Sequence, residues 1–173
     1  MKYYRTILAD PPWSYRNKRT GGSMTSGSLS KYPTLSLQEI CNLPVRDIAH
    51  KDSCLFLWAT VPLLPDCLHV MQEWGFEYKT AVFWRKIMSL GMGFWFRGQV
   101  ELCLFGIKGD IHAFRCQKPN FIQSKVRLHS QKPDEFYELI EHITPPPRIE
   151  LFARSKRNGW DSWGNQVKSD IKL

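Results

Sequence analysis

Five short apolar runs, separated by stretches with helical spacing, constrain this chain more than any other feature. They are "TILAD" (6–10), "SCLFLWAT" (53–60), "YKTAVFWRKI" (78–87), "VELCLFGIKG" (100–109) and "RIELFAR" (148–154). Runs this short and this apolar read as buried strands. Between them, "SLQEICNLP" (36–44) opens on Ser36 with Glu39 three residues on, the signature of a capping box. "PLLPDCLHVMQEWGF" (62–76) sets Leu64, Leu68, Met71 and Trp74 at helical spacing and stops at Gly75. "KPDEFYELIEHI" (132–143) reads as a helix with Pro133 in its first turn, where a missing N–H does no harm. Strands alternating with helices predict an α/β fold whose sheet carries helices on both faces. Residues 16–34, rich in Lys, Arg, Gly and Ser, and residues 88–99, with three glycines, predict two flexible binding loops. With no repeat and no long linker, 1–173 is expected to be a single domain.

The five cysteines (Cys41, Cys54, Cys67, Cys103, Cys116) are an odd number without a C-x-x-C pair. Most sit in apolar runs, where a thiol behaves as a small hydrophobe, so free thiols and no structural zinc are expected. His112 and Cys116 are four residues apart, and two ligands at that spacing do not make a metal site. The head of the chain has too short an apolar stretch for a signal peptide, and no run approaches membrane-spanning length. A soluble cytoplasmic protein without membrane partners is expected. The formal net charge of +8 favours a polyanionic partner, because each neutralised phosphate releases condensed counterions. Charge alone fits many basic proteins that bind no nucleic acid.

"ADPPW" ends the first strand with an acid, two rigid residues and a large aromatic. Proline cannot donate to a ladder, so the strand must stop there. In open α/β sheets ligands bind at such carboxyl ends. One reading is a tight turn with Trp13 as a core anchor. The other is a seat for a planar amine: Asp10 and a carbonyl that precedes a proline accept the two amine hydrogens, the proline ring fixes where that carbonyl points, and the indole of Trp13 stacks on the ring. An aromatic amine is a weak nucleophile because its lone pair is delocalised. Acceptors on both hydrogens let the nitrogen pyramidalise and attack a methyl group held in line.

"ADPPW" resembles the catalytic motif of amino-group methyltransferases that act on adenine, and the wider pattern resembles the MT-A70 family. "ILADPPWSY", "KYPTLSLQEI", "CLFLWAT", "WGFEYKTAVFWRK", "GFWFRGQVELCLFGIKG", "SQKPDEFYELIEHI" and "IELFAR…GWDSWGNQV" stand in that family's order, covering residues 5 to 167. The resemblance implies a Rossmann-like class I methyltransferase fold with a mixed, mostly parallel sheet. Its motif order is circularly permuted, with the catalytic corner first and the cofactor strand last. It implies S-adenosylmethionine as cofactor and the exocyclic amine of adenine in nucleic acid as target, with DNA favoured, in a bacterial or phage-infected cell. By the same resemblance Asp10, Pro11, Pro12 and Trp13 are catalytic. Asp10, Lys132, Glu150, Phe152, Arg154, Asn165 and Gln166 bind the cofactor, and Tyr32, Trp84, Lys86 and Arg97 bind the target. Glu101 is a weaker site candidate, since a solvent-facing charge in a strand is ordinary.

Two alternatives stand beside this reading: an RNA adenine methyltransferase, and an inactive nucleic-acid-binding subunit of the same family. The intact Asp10-Pro11-Pro12-Trp13 corner argues against the second. "ELFAR" has no F-x-G-x-G, in agreement with this family and unlike most DNA methyltransferases. Val100 stands where some members have a lysine. A homodimer is expected, because a domain of this size has little surface to spare for a duplex.

Overall fold

The apolar runs form strands of one twisted sheet, buried in continuous stretches where both faces are covered. The computed structural model describes residues 2–14, 34–87, 95–112, 117–126 and 131–173. Most of the two expected loops, with Tyr32, lies outside these residues. The strands are β1 (Tyr4–Ala9), β2 (Ala49–Ala59), β3 (Glu77–Ile87), β4 (Val100–Lys108), β5 (Phe121–Lys125), β6 (Arg148–Leu151) and β7 (Trp160–Trp163). Their order across the sheet is β5-β3-β4-β2-β1-β6-β7. Only β4 runs antiparallel to its neighbours, so the expectation of a mixed, mostly parallel sheet is met.

The helices are α1 (Leu37–Cys41), α2 (Val45–Ile48), α3 (Leu64–Glu73) and α4 (Asp134–Ile143). The capping box forms: Ser36 Oγ accepts from the Glu39 N–H at 3.3 Å, and Glu39 Oε2 accepts from the Ser36 N–H at 2.7 Å. α1 is shorter than the sequence predicts and Pro44 leads into the separate α2. α3 begins after a 3-10 turn at Val61–Leu63 and closes on Gly75 at φ +83°, a left-handed cap that favours glycine.

Alternation along each strand assigns the core to two faces. On one, Ile7, Leu55, Leu57 and Leu104 pack against Ile40 of α1, Val45 of α2, and Val70 and Met71 of α3. On the other, Leu8, Phe56, Trp58 and Cys103 pack against Phe136 and Ile140 of α4. Helices therefore cover both faces.

Two strands went unread in the sequence. β5 is short and alternates exposed with half-buried positions, so it lacks an apolar run. β7 has four residues behind a turn at Gly159. The last predicted strand is also too long by three residues. β6 stops at Leu151 because Phe152 takes φ 63°, outside any strand. Because β4 is antiparallel, its first residues stand at the same edge as the carboxyl ends of β1, β2, β3 and β6, with Leu102 beside Ala59 and Glu101 beside Trp84. That edge is where the chemistry-bearing side chains gather.

Candidate active site

Asp10 follows β1, the strand between β2 and β6, and its side chain is 24% exposed. The next three residues form a tight corner. The Trp13 N–H donates to the Pro11 carbonyl at 2.9 Å, and the Leu35 N–H donates to the Pro12 carbonyl at 3.0 Å. A carbonyl has two lone pairs, so Pro11 keeps one for a further donor. Trp13 is only 7% exposed, and its indole N–H donates to the Trp58 carbonyl at 3.0 Å. Of the two readings of this indole, the structure favours the anchor. Trp13 pins the corner to β2 and offers no open face for stacking.

On one side of Asp10 lies a cleft of about 340 Å³. Its wall includes Asp10, Pro12, Phe152, Arg154, Asn165 and Gln166, together with Leu35, Trp163 and Gly164, which the sequence reading missed. The rings of Phe152 and Trp163 meet edge to face at 5.3 Å, 75° apart. Gly164 is there because the chain after β7 passes against the chain after β6. A Cβ on it would stand 2.4 Å from the Ala153 carbonyl oxygen. Asn165 and Gln166 then lie exposed in the following turn, with their amides at the cleft.

On the other side of Asp10 is a chain of alternating charges. The Lys132 ammonium sits 3.2 Å from Asp10 and 2.9 Å from Glu101, and the second Glu101 oxygen pairs with Lys86. Lys132 is 10% exposed and its ammonium lies 4.5 Å from the Trp58 ring centre, a cation–π contact. Burial alone would lower its pKa, but the Asp10 and Glu101 carboxylates together raise it above the usual lysine value. Burial likewise pushes Glu101 up, and the two lysines outweigh it and hold that carboxyl below the usual range. Asp10, Glu101 and Lys86 share one sheet face by strand parity, the face covered by α4, and Lys132 reaches it from just before that helix.

The structure sets several of the expected site residues away from the cleft wall. Lys132 is neither a solvated helix-start lysine nor part of the cleft wall. It bridges two carboxylates. Glu150 is also absent from the cleft wall, because its parity turns it toward α4, where it accepts from the Tyr137 hydroxyl at 2.9 Å. Burial, with the Asp10 charge adding to it, pushes Glu150 up to about 7 against the opposing Tyr137 hydrogen bond. Trp84 is 2% exposed and donates its indole N–H to Ser124 Oγ at 2.8 Å, so it is a core residue and not an open base-binding wall. Arg97 lies exposed in the segment before β4. Glu101, the weak candidate, holds the charged side together.

Among the described residues no group of three or more His, Cys, Asp or Glu could hold a metal ion, and no helix is long and apolar enough to cross a membrane. Cys41, Cys54, Cys67 and Cys103 are free thiols.

The family model described as MT-A70 matches residues 4–166. The type II methyltransferase M.MunI of Mycoplasma sp is 35% identical over 187 residues, which span 96% of this chain and 78% of that protein. A putative N(6)-adenosine-methyltransferase MT-A70-like protein of Medicago truncatula is 32% identical over 98% of this chain. The N(6)-adenosine-methyltransferase catalytic subunit METTL3 of Homo sapiens is 32% identical over 95%. The chain spans 27% and 28% of the length of these last two relatives.

Proposed function

This chain belongs to the MT-A70 family, and from that premise we propose that it methylates the exocyclic amino group of adenine in nucleic acid, using S-adenosylmethionine and favouring DNA. The observation that carries the reading is the position of Asp10, where the cleft meets the chain of charges. A single carboxylate there can face a methyl donor on one side and an amine on the other.

The cleft suits the cofactor by the chemistry of its wall. Asn165 and Gln166 offer amides for ribose hydroxyls, Arg154 offers a cation for a carboxylate, and Phe152, Trp163 and Leu35 offer apolar surface for a purine. Asp10 is an acceptor for an ammonium group. When bound there, S-adenosylmethionine supplies an electrophilic methyl group. The protein's own part is to bring the amine to it. Asp10 accepts one amine hydrogen and the free lone pair of the Pro11 carbonyl accepts the other, which localises the nitrogen lone pair. Positive charge that develops on the nitrogen is met by the Asp10 carboxylate, and the released proton passes to that oxygen and on to solvent. Lys132 fixes where the carboxylate points, and Glu101 with Lys86 fixes Lys132.

DNA is favoured because M.MunI, a type II methyltransferase, is matched over 78% of its own length, whereas METTL3 is matched over 28%. An RNA target is the second reading, supported by the 32% identity to the N(6)-adenosine methyltransferases. A cytoplasmic location and a homodimer accompany the proposal. Incubation with cofactor and matched DNA and RNA oligonucleotides, followed by mass spectrometry of the nucleosides, tests it. Methylated adenine nucleoside should form with the wild type and not with Asp10→Ala. Methylation of another base, or an active Asp10→Ala, would overturn it.

A further inference from the structure

Beyond Ala81 the α3-covered face of β3 emerges from the core that the described residues form. Ala81 belongs to the core on that side, but the next residues of the same parity, Phe83 and Arg85, are exposed. β5 adds Phe121, Gln123 and Lys125 to the same face, with Phe83 beside Phe121, Arg85 beside Gln123 and Ile87 beside Lys125. Phe83 is 38% and Phe121 is 45% exposed. Arg85 donates to Gln123 Oε1 at 3.3 Å, which lays its side chain along the face. The exposed Val100 of β4 borders the row beside Arg85.

We propose that this row, Phe83 and Phe121 with Arg85 and Lys125, is a base-stacking platform for single-stranded nucleic acid flanking the target adenine. The inference rests on the nucleic-acid reading above and adds to it where the flanking strand lies. Neighbouring strands are about 4.8 Å apart, so two rings in register hold two bases side by side, an arrangement that only an unpaired strand permits. Aromatic rings bind bases through their faces whatever the sequence, and adjacent cations follow the phosphates. β3 and β5 run parallel to each other, and β3 runs in the same direction as β1. The row therefore leads from the aromatics to the cations and on to the sheet edge that carries Asp10. There Lys86, the neighbour of Arg85, turns to the opposite face and enters the charged chain through Glu101.

A second copy of the chain fits this face poorly. Residues 81–87 and 121–125 contain no carboxylate. A two-fold contact would set Arg85 and Lys125 against their own copies, with nothing to neutralise them.

The test is fluorescence anisotropy with a labelled single-stranded oligonucleotide of about twelve nucleotides, a labelled trinucleotide and a duplex. Binding of S-adenosylmethionine by calorimetry serves as the measure of an intact fold. Phe121→Ala should weaken the longer strand roughly five- to hundredfold and leave the trinucleotide unaffected. Phe121→Leu, which keeps an apolar side chain in the strand but has no π-face, should lose as much. Arg85→Gln with Lys125→Gln should lower the salt dependence by about two phosphate contacts. The duplex should bind more weakly than the single strand. Wild-type affinity in Phe121→Leu would overturn the platform, and so would a wild-type dimer that Phe121→Ala splits while oligonucleotide affinity holds. A wild type that binds no oligonucleotide at low salt would instead remove the nucleic-acid reading itself. Adenine methylation with unchanged affinity in the variants would remove the platform alone.

Discussion

On the cleft side of Asp10 the shape is held by backbone: a left-handed Phe152, a glycine pressed against Ala153, and a turn that presents two amides. On the other side it is held by four alternating charges, Asp10, Lys132, Glu101 and Lys86, in line across three strands and a helix start. These two constructions fail differently. A backbone-built wall tolerates changes of salt and pH but not one added methyl group. A charge-built wall tolerates changes of volume but not the loss of one charge. The attraction in each charged contact is about 4 kcal/mol at the effective dielectric of a partly buried pair. Desolvation costs several kcal/mol per ion, so the two nearly cancel. The intact chain of charges therefore adds little to net stability, and removing one member exposes the uncancelled cost of the others.

Asp10 belongs to both sides, and its loss should have the largest effect. Asp10→Ala is expected to lower kcat by roughly 10²–10³, the range for deleting a group that meets developing charge. Single-turnover methyl transfer measures it. A loss confined to KM would show that Asp10 only binds. Lys132→Met comes next. It leaves Asp10 without its cation and Glu101 with Lys86 alone, and should destabilise the fold by about 3 kcal/mol, the low end for breaking a buried pair because both carboxylates keep some contact with water. Adding Glu101→Gln should restore part of that stability in chemical denaturation. A double variant no more stable than Lys132→Met would break the picture of one coupled chain. Gly164→Ala tests the other side. The new Cβ would collide with backbone, which cannot swing away as a side chain can, so a cost of about 1–3 kcal/mol is expected. Cofactor affinity should fall with it, at low and high salt alike. A fall that salt alters strongly would mean that the cleft is held by charge after all.

The same contrast explains what could be read from the sequence. The strands with continuous apolar runs, the capping box at Ser36 and the stop at Gly75 were legible because each is a local rule. So was the Asn165-Gln166 pair, through its place in a family motif. Gly164 owes its role to a close approach, and a lone glycine does not say which contact it allows; Phe152 was named only through the resemblance, and its dihedral angle leaves no mark in residue type. Lys132 was placed with the cofactor by the family resemblance of its segment, which says nothing of its partners. Its partners come from Glu101 lying beside Trp84 in an antiparallel pairing, a register between distant segments. Parity alone already puts Asp10, Glu101, Glu150 and Lys86 on one face once that register is known. β5, polar and half-exposed, gave no apolar signal. The platform it forms with Phe83 was invisible for the same reason.

Glu150 provides the finest test of where the charged side ends. Burial, reinforced by Asp10, raises this carboxyl from its ordinary 4.5 to about 7, while the Tyr137 hydroxyl, Arg157 and Lys132 pull the other way. Between those two values the folded chain keeps a proton that the unfolded chain has lost. Stability therefore falls as pH rises through that window and levels off above it. Glu150→Gln keeps an acceptor for Tyr137 and removes the titration. The shift sets an upper bound of about 3 kcal/mol on the gain at alkaline pH. That bound already contains the Tyr137 hydrogen bond, which pulls the carboxyl down. Thermal melts of both proteins should thus coincide near pH 4.5 and separate toward pH 8, the variant melting higher. A difference that stays constant across the window would mean that neither burial nor Asp10 shifts Glu150. It would then be a structural acceptor for Tyr137, and the charged side would stop at Lys132.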